Sequence, residues 1–141
     1  MKTGRREDRK HAVQILYQLD LNQDLSAEKA LELFKTNFSI SKKGASDFCK
    51  QLVLGVVKHI EELDRKITQV SENWRLDRMP IIDRNILRMG SFELFHCNDI
   101  PSTVTINEMV ELAKEFGSEE SSLFVNGILD KLKVNHPEKA P

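Results

Sequence analysis

Cysteine is scarce: Cys49 and Cys97 are the only two in 141 residues. That is too few for a disulfide framework or a four-thiolate zinc site. Long apolar runs are missing as well, and no stretch approaches the roughly 20 residues needed to cross a bilayer. The N-terminus, Met1-Lys2-Thr3-Gly4-Arg5-Arg6, opens basic, but Glu7 and Asp8 follow where a secretory signal would place its apolar segment. These absences predict a reducing, cytoplasmic setting with no membrane involvement. Asn37-Phe38-Ser39 fits a glycosylation acceptor, which a cytoplasmic chain reads as chance. Charge of one sign is not in excess either, since 21 basic and 22 acidic residues leave a net −1. Taken globally, that balance argues against a nucleic-acid binder. Phosphate attraction is screened beyond about 10 Å at ordinary salt, however, so local distribution outweighs the sum.

Motifs of catalysis and cofactor binding are also missing. The six glycines are dispersed, and none forms GxGxxG or GxxxxGK[ST], so no phosphate-cradling loop is expected. His11, His59, His96 and His136 are singletons, and the adjacent His96-Cys97 pair is poor geometry for chelating one ion. No metal site and no cofactor are expected. Nothing in the spacing brings a nucleophile together with a base and an orienting partner. The chain therefore reads as a binding protein and not an enzyme.

What is present is apolar spacing of helical period nearly throughout, with Pro and Gly falling between the periodic segments. Hydrophobic residues at 40% and charged residues at 30% place it among ordinary globular domains. A first helix is predicted from about Arg5 to Asn22, with Ala12, Leu16 and Leu19 on one stripe beside Ile15. Ser26 suits the N-cap of a second helix carrying Ala30, Leu31, Phe34 and Phe38. A third helical region runs from near Gly44 to about Ser71 and buries Phe48, Leu52, Val56, Ile60, Leu63, Ile67 and Val70; its length predicts a break near Lys58-His59. Trp74 to Met79 forms a connector, and Pro80 fits the first turn of a helix carrying Ile82, Ile86, Met89 and Phe92. After a stop at Ile100-Pro101, Thr105 and Glu108 are spaced as a capping box, and Gly117 is placed as the C′ residue of that helix. Ser118 caps a last helix with Val125, Ile128, Leu129 and Leu132. Asn126-Gly127 inside it predicts the close approach of a neighbouring helix, with Asn126 bonding to backbone across the contact. The expected fold is an all-α single domain, 1–141, of six or seven helices. Its halves, 1–74 and 75–135, meet near Trp74, and the tail 136–141 is expected to fray.

The charge is not evenly spread. With Arg5 at 0° on a wheel of about 100° per residue, Arg9 falls near about 40°, Lys2 about 60°, Arg6 about 100° and Lys10 about 140°. Glu7 and Asp8 fall outside that arc, while Tyr17 lies within it about two turns further on. Basic side chains beside an accessible ring suit single-stranded RNA, which needs phosphate attraction and a surface for base stacking. A solvated helix face gives the same pattern, so both readings stand at this point. Arg84 and Arg88 form a second basic pair one turn apart, which Asp83 and Asp77 can neutralise as ordinary ion pairs. Glu119 and Glu120 in the first turn of the last helix are explained by its dipole.

Ile106-Asn107-Glu108-Met109-Val110-Glu111-Leu112-Ala113-Lys114-Glu115-Phe116-Gly117 resembles the INEAxELAKxFG signature of the NusB family, and Phe124-Val125-Asn126-Gly127-Ile128-Leu129-Asp130-Lys131 follows as FVNGxLDK. Arg5-Arg6 with Ala12 to Tyr17 is similar to the family's opening, and Asp83 to Gly90 with Glu93-Leu94 to its central helix. Four motifs in register cover essentially the whole chain. The resemblance implies an all-helical protein of two interlocked halves, a transcription antitermination adaptor on ribosomal RNA operons. It implies binding of single-stranded boxA RNA together with NusE, a small-subunit ribosomal protein, and contact with RNA polymerase through other Nus factors. A homodimer is left open. Carried onto this sequence, the RNA-contacting candidates are Arg5, Arg6, Arg9, Tyr17, Arg84, Arg88, Glu120 and Phe124. Phe124 is read either as a stacking surface or as core. By charge sign alone, Asp77, Asp83 and Glu120 are candidate attachment points for the basic partner. Leu123 stands where many relatives carry a basic residue, and Glu7 and Asp8 dilute the basic opening; both departures imply weaker RNA binding alone and more dependence on NusE. Other readings are the accessory region of an rRNA cytosine methyltransferase, for which a chain ending at Pro141 leaves no catalytic domain, or a protein-binding helical scaffold.

Overall fold

Helical propensity is realised throughout the computed structural model, which describes residues 4–38, 45–72 and 74–135, and only the backbone of 36–38. Lys2, Gly44, the Phe38 side chain and the tail 136–141 lie outside the described residues. Among the described residues there are seven α-helices, one 3₁₀ turn and no strand: α1 Arg5–Leu21, α2 Ala27–Phe38, α3 Asp47–Lys58, α4 Ile60–Val70, the 3₁₀ turn Leu76–Arg78, α5 Ile81–His96, α6 Ser102–Phe116 and α7 Glu119–Val134. None of these helices is long and apolar enough to cross a membrane.

The contacts divide the chain into two compact units, 1–58 and 59–141, so the boundary falls at the α3–α4 break and not at Trp74. The physical reason lies in α4. Its stripe of Leu63, Ile67 and Val70 is buried, and the helix packs against α5 and α7, which assigns it to the second unit. In the first unit α1 packs on α3 and α2, with Ala12, Ile15, Leu16, Ala30, Phe34, Cys49, Leu52 and Val56 buried. In the second, α5, α6 and α7 pack on one another around Ile86, Met89, Met109, Val125 and Leu129.

Helix ends follow local chemistry. Ser26 Oγ accepts from the Lys29 backbone N–H at 3.1 Å, and Ser118 Oγ from that of Ser121 at 3.1 Å, as the capping pattern predicts. The break at His59 is present, with φ −105° and ψ 19° between α3 and α4. Thr105 does not cap α6, because that helix begins at Ser102, directly after Pro101. Thr105 is instead fully buried, and its hydroxyl donates to Glu93 Oε1 at 2.8 Å. The close approach expected at Gly127 is not there: a Cβ would meet nothing within 4 Å among the described residues, and Asn126 is exposed. The tight crossing is at Gly90, where a Cβ would stand 3.0 Å from both Leu129 Cδ2 and Met109 Cγ. Gly117 closes α6 with φ −121°, and its room is set by Ser121 Oγ, 2.7 Å from where a Cβ would sit.

Candidate nucleic-acid interface

In the first unit, the opening turn of α1 carries the cations. Arg5 and Arg6 are exposed, as is Glu7, whereas Asp8 and Arg9 are each only 3% exposed. Arg5 and Arg9, one turn apart on α1, both lie over the Phe48 ring of α3, at 4.4 and 5.3 Å from its centroid. A guanidinium on a ring face is held by the ring's quadrupole, and burial of the stem adds packing. Arg9 is thus a structural residue in this arrangement, and its expected place on an open phosphate-facing arc is corrected. Lys10 is drawn to Glu7 at 3.4 Å, and His11 Nε2 lies 3.9 Å from the same carboxylate. Asp8 does not dilute the basic surface, because it is buried on the inner side of α1. There its charge adds to the effect of burial and pushes the Cys49 thiol up to about 12. Tyr17 is 37% exposed, leaving part of its ring accessible.

In the second unit, Arg88 is fastened down. Its Nε donates to Asp64 Oδ1 at 2.8 Å and its Nη2 to Asp64 Oδ2 at 3.0 Å, while Nη1 reaches Asn85 Oδ1 at 3.3 Å. With 11% of its side chain exposed, Arg88 serves this two-pronged pair, and the expectation of a direct RNA contact is corrected for it. Arg84 is half-buried and Glu120 exposed. Phe124 is half-buried and meets Trp74 edge-on, with ring centroids 5.6 Å apart and an interplanar angle of 65°. Trp74 itself is 55% exposed.

The acidic candidates separate. Asp77 is exposed and pairs with Arg75 at 3.0 Å. Asp83 is 4% exposed and turned into the molecule, where its Oδ2 accepts from the Ser121 hydroxyl at 3.2 Å. Burial pushes its carboxyl above the usual range, against the Ser121 hydrogen bond, which acts the other way. A carboxylate in that position cannot meet a docking partner, so Asp83 is withdrawn as an attachment point.

Two aromatic residues escaped the sequence reading. Phe48 was placed in the core, although Arg5 and Arg9 at i and i+4 already called for a shared partner. Trp74 was placed in a connector, although the one tryptophan of a chain, set among polar residues outside every apolar stripe, has no core position to fill. Of the candidates, Arg5, Arg6 and Tyr17 belong to the first unit and Arg84, Glu120 and Phe124 to the second, where Phe124 is joined by Trp74. Positive charge and an accessible ring are the two features suited to unpaired nucleotides.

Comparison with known proteins agrees over almost the full length. Residues 6–133 match the NusB family. The chain is 51% identical over 134 residues to the transcription antitermination protein NusB of Myxococcus xanthus, covering 93% of this chain and 95% of that one. Among solved structures it is similar to NusB of T. maritima, at 33% identity and TM-score 0.82, over 100% of this chain and 96% of that one. It is also similar to a chain in a crystal structure of the antitermination factors NusB and NusE with double-stranded RNA, at 30% identity and TM-score 0.80, over 93% and 96% respectively. The chain belongs to the NusB family.

Proposed function

We propose that this chain is an RNA-binding transcription antitermination adaptor that acts with NusE and carries out no catalysis of its own. The observation that carries this reading is the complex of NusB, NusE and RNA, in which the matching chain shares its fold with 93% of this one. The finer reading is that the RNA is a boxA-type single strand, transcribed from ribosomal RNA operons, and that RNA polymerase is reached through other Nus factors. Exposed Arg5 and Arg6 supply phosphate attraction, and Tyr17, Phe124 and Trp74 supply ring faces for bases. Glu120 and Arg84 are the further candidates of the second unit, and Asp77 remains the exposed acidic candidate for the basic ribosomal partner.

The test is fluorescence anisotropy with a labelled boxA RNA and a scrambled control, with and without NusE, on the wild type and on Arg5→Ala/Arg6→Ala. The wild type is expected to prefer boxA. The double variant is expected to bind more weakly, with a salt dependence flattened by about 0.7 in slope for each lost single-strand phosphate contact. Equal binding of both RNAs with and without NusE would overturn the specific function. Unchanged affinity and slope in the double variant would remove α1 from the interface.

A further inference from the structure

His59 and His96 stand far apart in sequence, but folding brings them together. His59 occupies the break before α4, Glu62 follows one turn later on the same face, and His96 is the last residue of α5. The two imidazoles stack with centroids 4.1 Å apart and planes within 19°. Phe92 lies against both, at 6.2 Å from His59 and 5.4 Å from His96. Both rings turn a nitrogen to one carboxylate oxygen: His96 Nε2 lies 2.9 Å and His59 Nδ1 3.5 Å from Glu62 Oε1. One ligand atom from each of the three residues falls within 4.8 Å of the other two.

Two neutral imidazoles that each donate an N–H to Glu62 hold this arrangement without an ion. A divalent cation replaces those protons at the same three donor atoms once the stacked rings turn to bring it into both ring planes. Zinc bound to imidazole nitrogen and carboxylate oxygen at about 2.0–2.2 Å in tetrahedral geometry needs ligand atoms about 3.3 Å apart. The two carboxylate–imidazole separations, 2.9 and 3.5 Å, bracket that value, and the two imidazole nitrogens lie within 4.8 Å of each other. The three side chains are 30, 32 and 27% exposed, so the site is supported by packing yet open on one side for water as a fourth ligand. Lys66, one turn beyond Glu62 on α4, has its ammonium over the Phe95 ring at 4.0 Å. The last turn of α5 adds the negative end of a helix dipole.

We propose that His59, Glu62 and His96 form a three-ligand site for a divalent transition-metal ion of the zinc class, which fastens the start of α4 to the end of α5. Two imidazoles and a single carboxylate select such an ion over magnesium or calcium, which prefer all-oxygen shells.

The experiment uses the untagged full chain. Zinc is titrated calorimetrically, cobalt(II) is added to read the visible spectrum of a tetrahedral site, and magnesium serves as the control. The expected result is one zinc per chain and silence with magnesium. At zinc a hundredfold above its Kd, the folded-to-unfolded ratio should rise about a hundredfold in thermal unfolding. Both responses should vanish in H59N and H96N, and zinc affinity should fall at least about tenfold in E62Q. E62Q keeps the side-chain shape and decides the matter should a histidine variant fail to fold. Absence of zinc binding to the wild type, or binding undiminished in E62Q and the histidine variants, overturns the site.

Discussion

A methyl group added at Gly90 would stand 3.0 Å from Leu129 Cδ2 and from Met109 Cγ, whereas one added at Gly127 would meet open space. Both positions are helical, so alanine gains about 1 kcal/mol at each from propensity alone. At Gly90 the gain is opposed by overpacking of a dense core, which costs about 1–3 kcal/mol, so Gly90→Ala is expected to lose about 1 kcal/mol net. Gly127→Ala keeps the whole gain. Urea denaturation of the two variants should therefore move the midpoints in opposite directions. Equal stabilisation of both would mean that α5, α6 and α7 can part more easily than the crossing at Gly90 allows. The contrast also shows where residue type misleads: a glycine inside a helix signals close approach only when its face of the helix is buried, and Gly127 is exposed.

At the level of whole helices, much was legible before any coordinates. The periodic stripes located the helical segments, expected as six or seven and seven among the described residues; the caps Ser26 and Ser118 were legible because each depends on local chemistry, and the break at His59 because the third stripe is long for one helix. The start of α6 was misplaced because Thr105 and Glu108 have capping spacing, and nothing local reveals that the Thr105 hydroxyl has a buried acceptor twelve residues back in Glu93. Arg88 illustrates the same limit, since its partner Asp64 lies on another helix. That pair ties α4 to α5 through two parallel hydrogen bonds, with the Arg88 side chain 11% and the Asp64 side chain 27% exposed. Losing one partner of a fully buried pair costs about 3–5 kcal/mol, and partial exposure reduces that to about 2 kcal/mol here. Arg88→Ala should then lower Tm by about 6 °C for a domain of this size. In a double-mutant cycle with Asp64→Ala, the coupling should be at least about 1 kcal/mol. Near-zero coupling would mean that the two helices hold together by their apolar stripes alone. Arg88→Lys should not restore the loss, because an ammonium lacks the planar fork that meets both oxygens.

For the molecule as a whole, the interface was legible in outline and not in its members. The cations of α1 were visible as an arc on a wheel, but a wheel does not say which side of the helix faces the protein, and so Arg9 and Asp8 were misjudged. Asp83 was misjudged because charge sign says nothing of burial, and its burial has a consequence for stability across pH. Its Oδ1 has no hydrogen-bond partner among the described residues, and its Oδ2 has only the Ser121 hydroxyl at 3.2 Å. Burial raises the folded-state pKa over the unfolded value, so the folded form holds its proton more tightly. The stabilising contribution is then fully present below the unfolded pKa, near 4, and is lost as pH rises through the folded value. At neutral pH the buried charge is a net cost. Asp83→Asn keeps the acceptor for Ser121 and removes the charge, so it should raise Tm at pH 7 by about 3 °C. That is the response of a domain this size to about 1 kcal/mol, the low end for a poorly satisfied buried polar atom. The gap between the two proteins should narrow as pH falls and the wild-type carboxyl takes up its proton. Binding to NusE should be unchanged, since the group does not reach the surface. A variant less stable than the wild type at pH 7, or a gap that widens in acid, would show that the ionised carboxylate supports the start of α5.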